Sequence, residues 1–319
     1  MTVGAVVIGR NEGDRLKRCL TSLAPQVEHL VYVDSGSRDD SVGFAKGIGA
    51  HVVELDTSLP FTAARARNAG AEALPETVDI IQFIDGDCGV EDDWIARAEK
   101  VLRADDGMGL VTGWRREIAP ASTAYNALCE WEWHRPAGPI QACGGDMMVR
   151  RSAFDATGGF DPRVIAAEDD ELCQRLLKSG WHLLRLPENM TLHDAAMTRF
   201  SEWWQRAVRT GHGFAQVADL HPGYFRPERR RVILYAEVLP ALTLLGLLIW
   251  RPLTVLALAV YGASFWRTRE MLKSASAPPQ HQTKMAGLVT LSKIPNALGM
   301  IRYHWRKWRK ADMRIIEYK

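Results

Sequence analysis

The chain lacks any pair of cysteines at C-x-x-C spacing. Its five, Cys19, Cys88, Cys129, Cys143 and Cys173, are scattered and odd in number. That usage argues against a disulfide framework or a structural zinc site and for reduced thiols in a cytoplasmic setting. The opening run, Thr2 to Ile8, is strand-like and lacks a basic leader and a cleavage site, so no signal peptide is expected. No G-x-G-x-x-G follows it and no glycine-lysine phosphate loop occurs, which disfavours dinucleotide-binding and P-loop chemistry. An excess of one charge is also missing, since 40 Lys and Arg face 38 Asp and Glu. The balance conceals an asymmetry. Residues 226–319 hold 17 basic and 5 acidic residues, a charge of +12, and leave −10 on residues 1–225. An acidic body with a basic, apolar tail points to a surface of fixed negative charge, and the tail's hydrophobicity selects a membrane over nucleic acid.

What is present is an alternation of strands and helices. Residues 3–8 form an apolar strand, and Leu16, Cys19, Leu20 and Leu23 repeat at helical spacing. Leu30–Val33 is a second strand that enters the polar loop Asp34 to Asp40. A short helix is predicted over 40–48, a strand over 50–55, and an alanine-rich helix over 62–74 with Arg65, Arg67 and Asn68 on its exposed face. A strand then runs to Asp85, a helix covers Trp94 to Val101, and Gly109–Gly113 and the stretch after Gly144-Gly145 read as further strands. This order predicts an α/β fold with a mostly parallel, doubly wound sheet. At 319 residues the chain suits one catalytic domain, 1–225, with an appendage, 226–319.

The most informative stretch is Ile80-Ile81-Gln82-Phe83-Ile84-Asp85-Gly86-Asp87. A buried strand ending in two carboxylates one residue apart places them at a sheet's carboxyl edge, where open α/β sheets bind ligands. Such a pair suits a hard divalent cation completed by phosphate and water. A second acidic cluster is Glu168-Asp169-Asp170-Glu171. A helix's first turn favours acids, but four in a row exceed what capping needs, because crowded like charges raise one another's proton affinity.

Six stretches in order carry a resemblance: Val-Ile-Gly-Arg-Asn-Glu at 7–12, Val-Asp-Ser-Gly-Ser-Arg-Asp at 33–39, Ala-Arg-Asn-Ala-Gly at 66–70, Phe-Ile-Asp-Gly-Asp at 83–87, Gly-Gly-Phe-Asp at 158–161 and Glu-Asp-Asp-Glu-Leu-Cys-Gln-Arg-Leu at 168–176. Residues 3 to about 215 resemble a family 2 glycosyltransferase with the GT-A fold, a Rossmann-like mostly parallel sheet flanked by helices. The resemblance implies an inverting, nucleotide-sugar-dependent enzyme using Mg2+ or Mn2+. It places the metal on Asp87, Asp85 and His193, with Asp169 as general base and Glu168 beside it. It brings Arg10, Asn11, Glu12, Asp34, Ser35, Arg67, Asn68, Asp85, Gly144 and Gly145 to the donor, and Arg206 and Arg209 to its diphosphate. A structural histidine at 193 and a solvated helix face at 206 and 209 are the alternatives. Two departures stand out. Where processive polysaccharide synthases of the family carry Gln-x-x-Arg-Trp, this chain has Gln205-Arg206-Ala207-Val208, which favours addition of a single sugar. Where many relatives carry two acids for the nucleobase, it has Asp34-Ser35.

Val232 to Trp250 is apolar apart from Glu237 and is interrupted at Pro240. Residues 253–266 are again apolar, and arginines flank both runs. Basic residues on both sides predict a hairpin, 232–266, with both ends cytoplasmic. Trp305 to Lys310 interleaves tryptophan with cations, as suits an anionic leaflet. The expected function is therefore transfer of one sugar from a nucleotide-diphosphate sugar to a lipid-linked or cell-surface glycan acceptor, at the cytoplasmic face of the membrane and without nucleic acid. The alternatives are a soluble transferase for a small-molecule acceptor, with the tail a packed helical subdomain or oligomer interface, and a non-catalytic GT-A membrane scaffold.

Overall fold

The computed structural model describes residues 2–316. Its strands are β1 Thr2–Gly9, β2 His29–Asp34, β3 His51–Glu54, β4 Val78–Asp85, β5 Cys88–Val90, β6 Met108–Glu117, β7 Gly138–Pro139, β8 Met147–Arg150 and β9 His182–His193. Helices α1 Asp14–Leu23, α2 Ser41–Gly47, α3 Ala63–Ala73, α4 Trp94–Ala104, α5 Ala124–Trp133, α6 Arg151–Ala156 and α7 Glu168–Lys178 lie between them. The carboxyl-terminal part is helical: α8 Phe200–Leu220, α9 Arg226–Ile233, α10 Leu239–Leu248, α11 Arg251–Ser274, α12 Gln282–Leu291 and α13 Lys293–Trp308. Two compact units result, one of Met1–Ile118 with Trp133–Ala195 and one of Ala119–Glu132 with Ala196–Lys319.

The first unit holds a single sheet in the order β3-β2-β1-β4-β8-β6-β9-β5, with β7 beside β9. β3, β2, β1 and β4 run parallel, as do β6 and β9. Antiparallel β8 is inserted between β4 and β6, and β5 pairs antiparallel with β9. Alternation along β1 explains the layering. Val3, Ala5 and Val7 bury against Leu16, Leu20, Trp94 and Ala98, whereas Val6 faces Ala64, Ala71, Phe154 and Leu172 on the other side. Where the alanine-rich helix starts, Thr62 accepts a hydrogen bond from the Arg65 amide at 3.1 Å, a side-chain N-cap.

In the second unit α8 packs on α13 through glycine. A Cβ on Gly211 would overlap the Asn296 backbone, and one on Gly299 would overlap Val208 O. Ala215, Val232, Ala297, Met300 and Tyr303 form its core. This packing places the boundary at Ala196 rather than at 225, because hydropathy marks where the chain turns apolar and not where α8 finds its partner. The segment 119–132, carrying most of α5, joins the same unit. Pro240 does not break the apolar run. The helix continues from Arg226 to Leu248, and a π-helical turn, Leu234–Val238, lies just before the proline, where the helical ladder lacks an amide donor. α10 and α11 fold back on each other, with Thr254 donating to Thr243 O at 3.0 Å and Tyr261 donating to Tyr235 O.

Candidate functional site

The carboxyl ends of β1, β2 and β4 deliver the first residues of the site. Gly86 allows the sharp turn after β4, its amide donating to Ile8 O at 2.8 Å, and a Cβ there would stand 3.0 Å from the same oxygen. Asp85 and Asp87 therefore leave the strand in different surroundings. One Asp85 oxygen accepts from Arg67 at 2.6 Å, and the other from Arg115 at 2.9 Å. Burial alone would raise its pKa; the two guanidiniums overcome that and hold it below the ordinary carboxylate value. Asp85 is thus tied into an ion-pair network with Arg67 and Arg115.

Asp87 faces His193 instead, with Oδ2 3.3 Å from Nε2. The other ring nitrogen, Nδ1, lies 3.0 Å from Oε2 of Glu117, a buried carboxylate that also accepts the Ala195 amide at 3.1 Å. Burial opposes a proton on His193, but Asp87 and Glu117 outweigh it and raise the imidazole pKa. Asp87, Cys88 and His193 form a cluster with metal-ligand spacing. The donor set fits a divalent cation: an acid, an imidazole, and a second carboxylate fixing the ring from behind. Burial drives the Cys88 thiol well above its ordinary pKa, so it stays neutral and is a poor ligand for a hard ion.

A chain of ion pairs links the two acidic clusters. Arg67 is not on an exposed face of α3 but buried at 2% exposure, because the alanines around it let the helix lie close to the sheet. Its other nitrogen donates to Glu168 at 2.8 Å. Gly145 makes room for it: a Cβ there would overlap Arg67 Nη2 and stand 3.0 Å from Asp85. Gly144 has open space around its Cβ position. Next to Gly145, buried Asp146 accepts from Arg115 at 2.8 Å, from the Asp85 amide at 3.0 Å and from Thr191 at 2.8 Å.

α7 begins behind Ala167, held at φ 58°, which turns Glu168 and Asp169 toward the arginine chain. Glu168 is buried and paired with Arg67, whereas Asp169 accepts a hydrogen bond from the Asp170 amide at 3.0 Å. Burial, together with the Glu168 charge and against the pull of Arg67, pushes Asp169 up to about 6.

The remaining expected donor residues organise their own loops. Asp34 accepts from Tyr32 Oη at 2.9 Å and from the Gly36 and Ser37 amides at 2.9 and 2.8 Å, while the Ser35 amide donates to Gly9 O at 3.1 Å. Asn11, at φ 57°, joins this loop by accepting from the Arg38 amide and donating its own amide to Ser37. Arg10 lies over the Phe61 ring at 4.4 Å, and Glu12 pairs with Arg15 at 2.9 Å. Asn68 clamps the backbone of Phe160 in both directions, at 2.8 and 2.9 Å. Arg206 and Arg209 belong to α8 in the second unit, where Arg206 pairs with Glu132 at 2.8 Å. Sequence reasoning missed Arg115, Glu117 and Asp146. Their signals were an Arg-Arg-Glu run ending an otherwise apolar strand and an aspartate directly after the Gly144-Gly145 turn.

An acidic edge at the carboxyl end of a mostly parallel sheet, with an antiparallel strand inserted beside it, defines the GT-A class of α/β fold. Residues 5–155 match the family model of Glycosyl transferase family 2, and residues 126–199 that of the N-terminal domain of galactosyltransferase. The chain carries a glycosyltransferase domain of family 2. It is 28% identical over 243 residues to a pre-mycofactocin glycosyltransferase of Mycobacterium tuberculosis, covering 70% of this chain and 49% of that protein. The same organism's N-acetylglucosaminyl-diphospho-decaprenol L-rhamnosyltransferase is 35% identical over 128 residues, 39% of this chain and 40% of that protein. The chain thus spans about half the length, or less, of these curated relatives. Among solved structures, a mannosyltransferase from Pyrobaculum calidifontis in complex with GDP-Man and Mn2+ superposes with a TM-score of 0.61 at 19% identity, over 96% of this chain and 88% of that one. Glucosyl-3-phosphoglycerate synthase from M. tuberculosis has the same fold, with a TM-score of 0.52 at 20% identity over 68% of this chain and 79% of that one.

Proposed function

We propose that the protein is an inverting, divalent-metal-dependent glycosyltransferase that moves one sugar from a nucleotide-diphosphate sugar to a lipid-linked or cell-surface glycan acceptor. The observation that carries this reading is the separation of two carboxylate environments by an arginine chain. At one end Asp87 and His193, backed by Glu117, would hold Mg2+ or Mn2+. Such an ion supplies positive charge to the leaving diphosphate. At the other end Asp169, with its raised proton affinity, takes the acceptor hydroxyl proton. The acceptor oxygen then bonds to the anomeric carbon as the bond to the diphosphate oxygen breaks, in one displacement that inverts the centre. Arg67 and Arg115 hold Asp85, Asp146 and Glu168 in place, so that little reorganisation accompanies the charge movement. Support comes from the Mn2+ and nucleotide present with the mannosyltransferase and from the lipid-linked substrate named for the rhamnosyltransferase.

The same reading places the enzyme at the cytoplasmic face of the membrane. The helix Arg226–Leu248 has 23 residues, and only 17% of its apolar stretch is buried. Leu247, Leu248, Ile249 and Trp250 at the hairpin tip are 60–84% exposed, and basic residues cluster at its base. The test is transfer of label from UDP- and GDP-sugars to a lipid-extractable product, using membranes containing the full chain and Mn2+. Label in that fraction that disappears with EDTA supports the reading. Label only in water-soluble products would move it to a small-molecule acceptor.

A further inference from the structure

Trp133 stands beside the candidate metal residues without a part in the chemistry so far described. It ends α5, and its indole is half-buried. The ring of His193 meets it edge to face, with centroids 4.5 Å apart, and the Arg115 guanidinium lies 5.3 Å from its ring centre. Both partners are fixed from behind, His193 by Glu117 and Arg115 by Asp85 and Asp146. The strand pairing explains how they come together. Between Thr112 and Arg115 the register of β6 on β9 shifts twice, and the extra residues lie on β9. Such irregularities re-aim side chains, here turning Arg115 toward the acids and Glu117 toward His193.

We infer that the Trp133 indole is the surface against which the sugar ring of the donor lies. This rests on the function proposed above. A diphosphate held near Asp87 and His193 keeps its attached pyranose within reach of the residues beside them, Trp133 among these. A pyranose presents an apolar face of C–H groups beside its hydroxyls, and small-ligand sites match such faces with aromatic side chains and a few placed polar groups. An indole braced by a guanidinium and an imidazole is a rigid platform of that kind, and its contact would distinguish the sugar from the nucleotide that carries it.

The test compares two ligands in one protein. Full-length wild type, Trp133→Leu and Trp133→Phe are titrated calorimetrically with Mn2+ and either UDP and UDP-glucose or GDP and GDP-mannose. Leucine keeps apolar bulk against His193 but removes the flat face, and phenylalanine keeps a face. The expected result is about three- to ten-fold weaker binding of the nucleotide sugar by Trp133→Leu, the range for one aromatic contact. Affinity for the free diphosphate stays unchanged, and Trp133→Phe recovers most of the loss. Equal weakening of both ligands would make Trp133 only a prop for His193 and overturn the inference, as would no change in either. A wild-type protein that binds neither pair overturns the proposed function and this inference with it.

Discussion

Replacing Asp169 by asparagine separates catalysis from stability and gives opposite signs for the two. The side chain is close in size but cannot accept the acceptor's proton, and loss of a general base typically costs about 10²–10⁴ in rate. With Asp169 as the proposed base and its carboxyl pushed up to about 6, the rate of the unmodified enzyme should follow that ionisation. At one pH unit below it only about a tenth of the groups are ionised, so kcat/KM should fall about ten-fold per unit on the acid side. The stability sign is the reverse. The folded pKa lies above the unfolded value of about 3.9, so this carboxyl stabilises the fold only while protonated. That contribution is complete below about pH 3.9 and is lost as the pH rises through about 6. A shift of about two units corresponds to about 3 kcal/mol, which partial solvent exposure reduces to about 1 kcal/mol. Asp169→Asn, neutral throughout, should therefore melt about 2–4 °C higher than wild type at pH 7.5 and show no advantage at pH 4. Scanning calorimetry and initial rates on the same preparations check both. Less than a ten-fold rate loss, or a variant less stable at pH 7.5, would refute the reasoning.

Glu117→Gln should weaken Mn2+ binding about 10–100-fold, since Glu117 orients the His193 ring without facing the ion itself; Mn2+ titration followed by electron paramagnetic resonance measures it. Gly145→Ala forces a methyl group into Arg67, so it should destabilise by about 1–3 kcal/mol and impair donor binding, read by denaturant unfolding and calorimetry. For the apolar hairpin, high salt should leave the full chain on anionic vesicles while detergent releases it, because apolar burial is not screened. A chain lacking 232–266 should sediment with those vesicles at low salt only, through its basic residues.

The fold was legible where local patterns decide it. The apolar run to Ile84 marked β4, with its acids at the strand's carboxyl end, and the spacing of Leu16, Cys19 and Leu20 marked α1. What local pattern could not show was which charges meet. Arg67 and Arg115 lie 18 and 30 residues from Asp85, and nothing in either segment marks them as its partners. Read alone, Arg67 looked like a surface residue, whereas folding buries it against Asp85. The histidine at 193 was visible, but its partner Glu117 lies 76 residues away on a neighbouring strand. The insertion of antiparallel β8 and the capture of α8 by α13 are likewise products of long-range packing.

The central claim is that Asp87 and His193 form a cation site on which donor binding depends. Calorimetric titration of the full-length protein with UDP- and GDP-sugars, with Mn2+ and with EDTA, tests it most directly when repeated on Asp87→Ala. The account predicts donor binding that requires Mn2+ in the wild type and is absent from a folded Asp87→Ala protein. Equal donor affinity with and without Mn2+, or an Asp87→Ala protein that retains Mn2+-dependent binding, would contradict it.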